Sequence, residues 1–133
     1  MYEDGGESDF ADIKTMLIIE DNQELRSFLR NIFSVQFRII EAPDGKKGLE
    51  KAVTCIPDII ISDIMMPEKD GIELITELRE NLATSHIPVI VLTAKTDMET
   101  KLQSIKGGAD SYITKPFSVS YLETRVNNLL ARR

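Results

Sequence analysis

Short apolar runs that alternate with segments of helical periodicity constrain the fold of this chain more than any other feature. Several of the runs contain no polar residue, which is typical of parallel strands covered on both faces. The predicted strands are residues 16–19, 37–40, 59–61, 89–92 and 112–114. All of these runs fall far short of the roughly 20 apolar residues that a membrane span requires.

Between these runs, apolar residues recur at intervals of three and four, the period of an amphipathic helix. The predicted stripes are Leu25, Phe28, Leu29, Ile32 and Phe33; Leu49, Ala52, Val53 and Ile56; Ile72, Ile75, Leu78 and Leu82; Met98, Leu102 and Ile105; and Val119, Leu122, Val126, Leu129 and Leu130. Five strands that alternate with five helices predict an α/β fold, a doubly wound parallel sheet with helices on both faces.

The length of 133 residues suits one domain. Residues 1–14 contain five acidic residues against one basic residue, include two adjacent glycines and lack apolar periodicity, so we interpret them as a flexible leader or linker. The folded domain is then residues 15–133. The formal net charge of -6 disfavours direct contact with nucleic acid or an anionic membrane surface.

Cysteine usage and the amino terminus bear on the cellular compartment. Cys55 is the single cysteine, so an internal disulfide is excluded, and we expect it to be a small buried hydrophobe. The amino terminus lacks the order of basic, apolar and small residues of a signal peptide. These observations favour the reducing cytoplasm.

Polar side chains follow four of the predicted strands at the point where each strand ends. Glu20 and Asp21 follow the first, Asp63 the third, Thr93 the fourth and Lys115 the fifth. Taken singly, each is typical of a solvated loop or of a strand end. Because parallel strands end at the same edge of a doubly wound sheet, where such folds bind ligands, their joint occurrence predicts a site.

Three carboxylates in one crevice repel one another unless a cation lies among them. Glu20, Asp21 and Asp63 offer only oxygen ligands, which favours a hard ion, and Mg²⁺ fits better than Ca²⁺ or zinc. We expect Mn²⁺ to substitute. A metal beside a carboxylate, a hydroxyl and a lysine is typical of phosphoryl transfer, with Asp63 as nucleophile and Thr93 and Lys115 contacting the phosphoryl oxygens.

Five motifs stand in order along the chain: residues 17–22 (LIIEDN), 62–67 (SDIMMP), 70–71 (DG), 92–94 (LTA) and 115–117 (KPF). With them, the chain strongly resembles the receiver domains of two-component response regulators, from Thr15 to its end. The resemblance implies a flavodoxin-like sheet in the order 2-1-3-4-5. It also implies that Asp63 accepts a phosphoryl group from a phosphohistidine of a sensor histidine kinase, aided by Mg²⁺.

The resemblance implies a role for each site residue, position by position. Asp21, Asp63 and the backbone carbonyl of Met65 would bind the metal, and Glu20 would act mostly through a metal-bound water. The Lys115–Pro116 peptide is expected to be cis. The switch pair implied by the family is Thr93 and Tyr112. At Lys95, the family tunes the lifetime of the phosphate, and the hypothesis is that this lysine shields the phosphoryl group from water.

The partners that the resemblance implies are a sensor kinase, an output domain or downstream protein, and a phosphorylation-linked second copy of the chain. Their docking face would be the fourth predicted helix, the fifth strand and the fifth predicted helix. The domain would act as a switch on its own aspartate and not as a turnover enzyme. Residues 65–67 and 85–88 are also similar to receivers in hybrid sensor kinases of the kind joined to DNA-binding regions, which favours a fragment of a longer chain.

Two other functions compete with this interpretation. A degenerate receiver would act as an interaction module without phosphorylation, which the complete set of site residues argues against. A flavodoxin-like electron carrier would share the architecture, but a flavin phosphate pocket after the first strand requires hydroxyls and backbone amides, whereas this chain has Glu20 and Asp21 there.

Overall fold

The computed structural model describes residues 13–64, 70–94, 106 and 108–132. Five strands form one sheet in the order β2-β1-β3-β4-β5, and every neighbouring pair is parallel. The strands are β1 Lys14–Ile19, β2 Phe37–Ala42, β3 Ile59–Asp63, β4 Val89–Thr93 and β5 Ser111–Thr114. The predicted fold class and strand order are confirmed, and β1 begins one residue before the predicted start of the domain at Thr15.

Four helices lie within the described residues: α1 Gln23–Phe33, α2 Gly45–Cys55, α3 Gly71–Glu80 and α4 Val119–Ala131. Here α4 is the fifth helix of the sequence prediction, and the fourth, over Met98, Leu102 and Ile105, lies outside the described residues. At each of the four amino termini, a side-chain oxygen accepts a hydrogen bond from the N–H three residues later. The four capping residues are Asn22, Asp44, Asp70 and Ser118.

Both faces of the sheet are covered by helices, as the continuous apolar runs predict. The core between the sheet and α1 and α4 includes Met16, Ile18, Leu29, Phe33, Ile59, Ile61, Leu122 and Val126. The core between the sheet and α2 and α3 includes Leu17, Ile19, Ala52, Ile60, Leu74, Ile75 and Leu78. Successive residues of β1 and β3 therefore alternate between two buried layers, which fixes the register of the central strands.

The sequence prediction was wrong about the burial of several apolar residues. Phe28 is 47% exposed and Val53 42% exposed, since each lies at the flank of its stripe and not at its centre. Leu82 is 92% exposed because α3 ends at Glu80, so the helical stripe does not continue to this residue. Cys55, expected to be buried, is exposed in the last residue of α2.

In the part of the chain that the structure describes, none of the helices is both long enough and apolar enough to cross a bilayer.

Candidate functional site

Three acidic side chains meet at the carboxyl edge of the sheet. Glu20 and Asp21 follow β1, and Asp63 is the last residue of β3. One carboxylate oxygen from each lies within 4.8 Å of those of the other two. Glu20 and Asp63 are buried, whereas Asp21 is exposed. Because β1 and β3 are hydrogen-bonded neighbours, their ends place these groups together.

The Asp63 side chain is held at both of its oxygens. Oδ1 accepts a hydrogen bond from the N–H of Ile64 at 2.7 Å, and Oδ2 lies 3.4 Å from Nζ of Lys115. The residue is 6% exposed and ends a strand with hydrogen-bonded neighbours on both sides. Its carboxylate is therefore presented at the edge of the sheet by rigid backbone.

Glu20 is the most deeply buried of the three acids, at 1% exposure. Its Oε2 accepts a hydrogen bond from the N–H of Asn22 at 3.0 Å, and its Oε1 lies 3.5 Å from Nζ of Lys115. Burial raises the pKa of Glu20 to about 7, and the charge of Asp63 and the contact with Asp21 act in the same direction. The Asn22 hydrogen bond and the ammonium of Lys115 oppose this shift.

Lys115 places one ammonium between the two buried carboxylates, with distances of 3.5 Å to Glu20 and 3.4 Å to Asp63. Its position is fixed by the main chain, since its N–H donates to the carbonyl oxygen of Thr93 at 2.7 Å. The Lys115–Pro116 peptide is cis, which confirms the prediction from the family resemblance.

The predicted switch residues lie on the two adjacent strands β4 and β5. Thr93 ends β4 and is 1% exposed. Tyr112 is partly buried, packs against the core of the α2 and α3 layer and faces Val91 of β4 in the register. The structure thus places both at the side of the site where Lys115 also lies.

The family model of the response regulator receiver domain matches residues 16–127 of this chain. The chain belongs to the receiver domain family. This receiver domain is 42% identical over 119 residues to Histidine kinase P4 of Formosa agariphila, covering 90% of the chain and 9% of the kinase. It is 41% identical over 118 residues to the KDP operon transcriptional regulatory protein KdpE of Escherichia coli, covering 88% of the chain and 51% of that protein.

Among solved structures, the receiver domain of the Francisella response regulator 1452 is similar to this one, with a TM-score of 0.83 and 37% identity. The match covers 90% of this chain and 98% of the Francisella domain. The similarity thus extends over whole receiver domains, whereas this chain spans only a small part of the kinase and about half of KdpE.

The donor set of the receiver domain fits a hard divalent cation. All three clustered side chains offer carboxylate oxygens, and two of them are buried beside the ammonium of Lys115. A divalent ion would remove the remaining repulsion, and Mg²⁺ prefers such oxygen ligands and completes its shell with water. The other predicted ligand, the carbonyl of Met65, lies outside the described residues, as does Lys95.

Sequence reasoning missed two residues that shape the site. Nη1 of Arg26 donates to the carbonyl oxygen of Glu20 at 2.7 Å, a contact that no motif spacing indicates. The N–H of Gly71 donates to the carbonyl oxygen of Ile64 at 2.9 Å and brings α3 against the backbone that carries Asp63. The Asp70-Gly71 motif was a signal for this second contact, but the sequence did not reveal what the glycine touches.

We expect Gly71→Ala to disturb the receiver site. A Cβ atom at this position would lie 2.8 Å from both the carbonyl oxygen of Asp63 and Cα of Ile64, so backbone must move. Overpacking of this kind costs about 1–3 kcal/mol of unfolding free energy. Urea denaturation measures that loss, and a calorimetric Mg²⁺ titration should show weaker binding because the backbone of Asp63 is displaced.

Gly48→Ala in α2 is the matched control. Its Cβ would meet side-chain atoms of the buried Ile19, at 2.5 Å for the nearest, so this variant is overpacked too, but not against the backbone of Asp63. Alanine also favours a helix interior by up to about 1 kcal/mol over glycine. If Gly48→Ala weakened Mg²⁺ binding as much as Gly71→Ala, the contact between Gly71 and Asp63 would not be the cause.

Proposed function

We propose that this receiver domain accepts a phosphoryl group on Asp63 from a phosphohistidine of a sensor histidine kinase, with Mg²⁺ as cofactor. One observation carries the proposal. Asp63 is the last residue of a central strand, and one of its carboxylate oxygens lies within 4.8 Å of an oxygen of each of two further carboxylates. Its Oδ2 lies 3.4 Å from the ammonium nitrogen of Lys115. A nucleophile, a cation site and a fixed positive charge therefore meet at one edge.

In the reaction, a carboxylate oxygen of Asp63 forms a bond to phosphorus while the bond from phosphorus to the donor's imidazole nitrogen breaks, and the electron pair leaves with the imidazole. Lys115 is placed to neutralise charge on the phosphoryl oxygens, and the Thr93 hydroxyl is proposed to contact them. Asp21 and Asp63 would hold Mg²⁺, with Glu20 acting mostly through a bound water. When bound, the ion supplies charge neutralisation for the transferring group.

The domain would catalyse chemistry only on itself. Attack by water on the acyl phosphate would release inorganic phosphate and regenerate the Asp63 carboxylate, so the cycle returns the protein to its starting state. A phosphoryl group adds nearly two negative charges next to Thr93 and Lys115, which biases the packing of β4 and β5. We propose that this changes the position of Thr93 and Tyr112.

The proposed readout surface includes Tyr112 on β5 and Tyr121 and Arg125 on α4. These side chains line one concavity together with Asp110 and Ser111, and Nε of Arg125 donates to Oγ of Ser111 at 3.2 Å. Tyr121 is 53% exposed. Tyrosine and arginine are enriched at protein interfaces, which supports docking of an output domain, a downstream protein or a second copy of the chain here.

We also propose the wider context from the relatives. One relative is named a histidine kinase and another a transcriptional regulatory protein, and each is much longer than this domain. The domain would therefore serve in a cytoplasmic phosphorelay, as part of a hybrid histidine kinase or a response regulator that controls transcription. The net charge of -6 makes direct contact of this domain with DNA or an anionic membrane unfavourable.

The test is incubation with acetyl phosphate, with and without Mg²⁺, followed by intact mass measurement. We expect the parent protein to gain one phosphoryl group with Mg²⁺ or Mn²⁺ and none in excess chelator. A parent protein that stays unmodified with donor and metal would refute phosphoryl acceptance and favour the interaction module that acts without phosphorylation.

A further inference from the structure

Arg26 of α1 reaches the turn that carries two of the three clustered carboxylates. Its Nη1 donates to the carbonyl oxygen of Glu20 at 2.7 Å, and its Nε donates to Oε1 of Glu41 at 3.1 Å. Only 17% of its side chain is exposed. A guanidinium presents its donors in a rigid planar fork, so two bonds to the ends of β1 and β2 hold it in one orientation.

The carbonyl that Arg26 contacts belongs to the peptide group that joins Glu20 to Asp21. Before this peptide, the N–H of Glu20 donates to the carbonyl oxygen of Ala42 at 3.0 Å. After it, the N–H of Asn22 donates to Oε2 of Glu20 at 3.0 Å. Because a peptide group is planar, the contact from Arg26 sets the direction in which the chain proceeds to Asp21.

Asp21 depends on its backbone for its position more than its two buried neighbours do. It is exposed, whereas Glu20 and Asp63 are surrounded by packed atoms. An exposed ligand must lose conformational freedom when it binds an ion, and a fixed backbone reduces that loss. The orientation of the peptide between Glu20 and Asp21 therefore bears directly on ion affinity.

Glu41 offsets part of the positive charge that Arg26 brings to this turn. Its two carboxylate oxygens are shared between Arg26 and Arg30, each at 3.1 Å. A positive side chain without this partner would oppose a divalent cation bound nearby. One carboxylate shared by two guanidinium groups compensates part of this positive charge, and Arg26 remains a hydrogen-bond donor to the Glu20 carbonyl.

We propose that Arg26 is a positioning residue for the divalent-cation site, acting through the Glu20 carbonyl to hold Asp21 in place for the ion. The inference rests on the proposed function, because that proposal has the carboxylate cluster bind a divalent cation. It predicts that a residue outside the cluster controls Mg²⁺ affinity in the unphosphorylated protein.

The experiment is a calorimetric Mg²⁺ titration of the unphosphorylated chain. We expect Arg26→Gln to weaken binding about tenfold, the usual loss when a group that orients a metal ligand is removed. Arg30→Gln is the matched control, because Arg30 contacts the same Glu41 but not Glu20. We expect its Kd to stay within about twofold of the parent, since outer contacts that touch no ligand carry little of this effect.

Stability is separated from positioning by comparing Kd with the melting temperature. Ile32→Val in α1 removes part of a half-buried contact and should lower the melting temperature without changing the Kd of the folded protein. If Arg26→Gln does not fold, Arg26→Lys replaces it. A lysine keeps the charge but lacks the planar fork, so we expect a Kd that is raised severalfold.

Equal Kd values for the tested Arg26 variant and Arg30→Gln would overturn the positioning role. If the parent still took up a phosphoryl group in that case, the proposed function would stand. A parent protein that neither binds Mg²⁺ nor gains a phosphoryl group would refute the proposed function and this inference together.

Discussion

Asp63→Asn is expected to abolish the Mg²⁺-dependent phosphoryl gain of this receiver domain. The amide has no carboxylate oxygen to attack phosphorus, and one of the three clustered acids is lost as a ligand. The fold should persist, because the amide oxygen of asparagine can still accept the hydrogen bond from Ile64 that Oδ1 of Asp63 accepts at 2.7 Å. The substitution relieves repulsion beside Glu20 but also removes the ion pair with Lys115 at 3.4 Å, so the two effects on stability oppose each other.

Intact mass after incubation with acetyl phosphate and Mg²⁺ measures this effect, and thermal denaturation checks the fold. Asp44→Asn is the matched control, since Asp44 lies near the same edge of the sheet as the cap of α2 and asparagine caps a helix as well as aspartate does. The control should gain one phosphoryl group at the parental rate. If Asp63→Asn gained a phosphoryl group at the parental rate, the acceptor would be another acid, such as Glu20 or Asp21.

The strands and the edge where the acids converge could be predicted because two simple physical rules act together. Buried parallel strands require unbroken apolar runs, and the carboxyl ends of such strands must share one edge. Glu20, Asp63, Thr93 and Lys115 follow from that alone, before any distance is known. Their roles in binding a metal or a phosphoryl group stay predictions.

Burial within helices was predicted less well. A periodic stripe gives the direction of the buried face but not its width, so Phe28 and Val53 were placed too far inward. The buried face of α2 is built from Gly45, Gly48 and Ala52, small residues that allow the helix to approach Ile19 closely. A search for periodic large apolar residues does not find a buried face that is made of small residues.

The contacts of Arg26 and Gly71 could not be predicted because they join elements in space. Arginine in an amphipathic helix is usually a solvated residue, and only the position of α1 over the end of β1 brings Arg26 to the Glu20 carbonyl. For Gly71, the close approach to Asp63 depends on how the start of α3 packs against the end of β3.

The second large effect we expect is a pH dependence of stability that arises from Glu20. In the absence of a metal, its pKa in the folded protein is about 7, raised from an ordinary value of 4.5. Between these two values the folded state binds a proton that the unfolded state has lost. The free energy of unfolding therefore falls as the pH rises through this window, by up to about 3 kcal/mol at pH 8.

Glu20→Gln isolates this contribution from the other titrating groups. A glutamine oxygen can accept the Asn22 hydrogen bond and carries no charge, so the variant should lose the part of the pH dependence that comes from Glu20. We expect urea denaturation in chelator to show a small difference between parent and variant at pH 5, and a variant clearly more stable than the parent at pH 8. Parallel pH profiles would show that Glu20 titrates normally.

Mg²⁺ should reverse the loss of stability of the parent protein at high pH. The ionised carboxylates repel one another without a metal, and a bound divalent ion stabilises them. Stabilisation by a ligand grows with the ratio of its concentration to its Kd, so millimolar Mg²⁺ should raise the melting temperature of the parent clearly at pH 8 and little at pH 5, where Glu20 is protonated. In Glu20→Gln the gain at pH 8 should be smaller. A Mg²⁺ effect of equal size at both pH values would show that the ion binds without drawing on the charge of Glu20, and Asp21 and Asp63 would then be the carboxylates that the cation site needs.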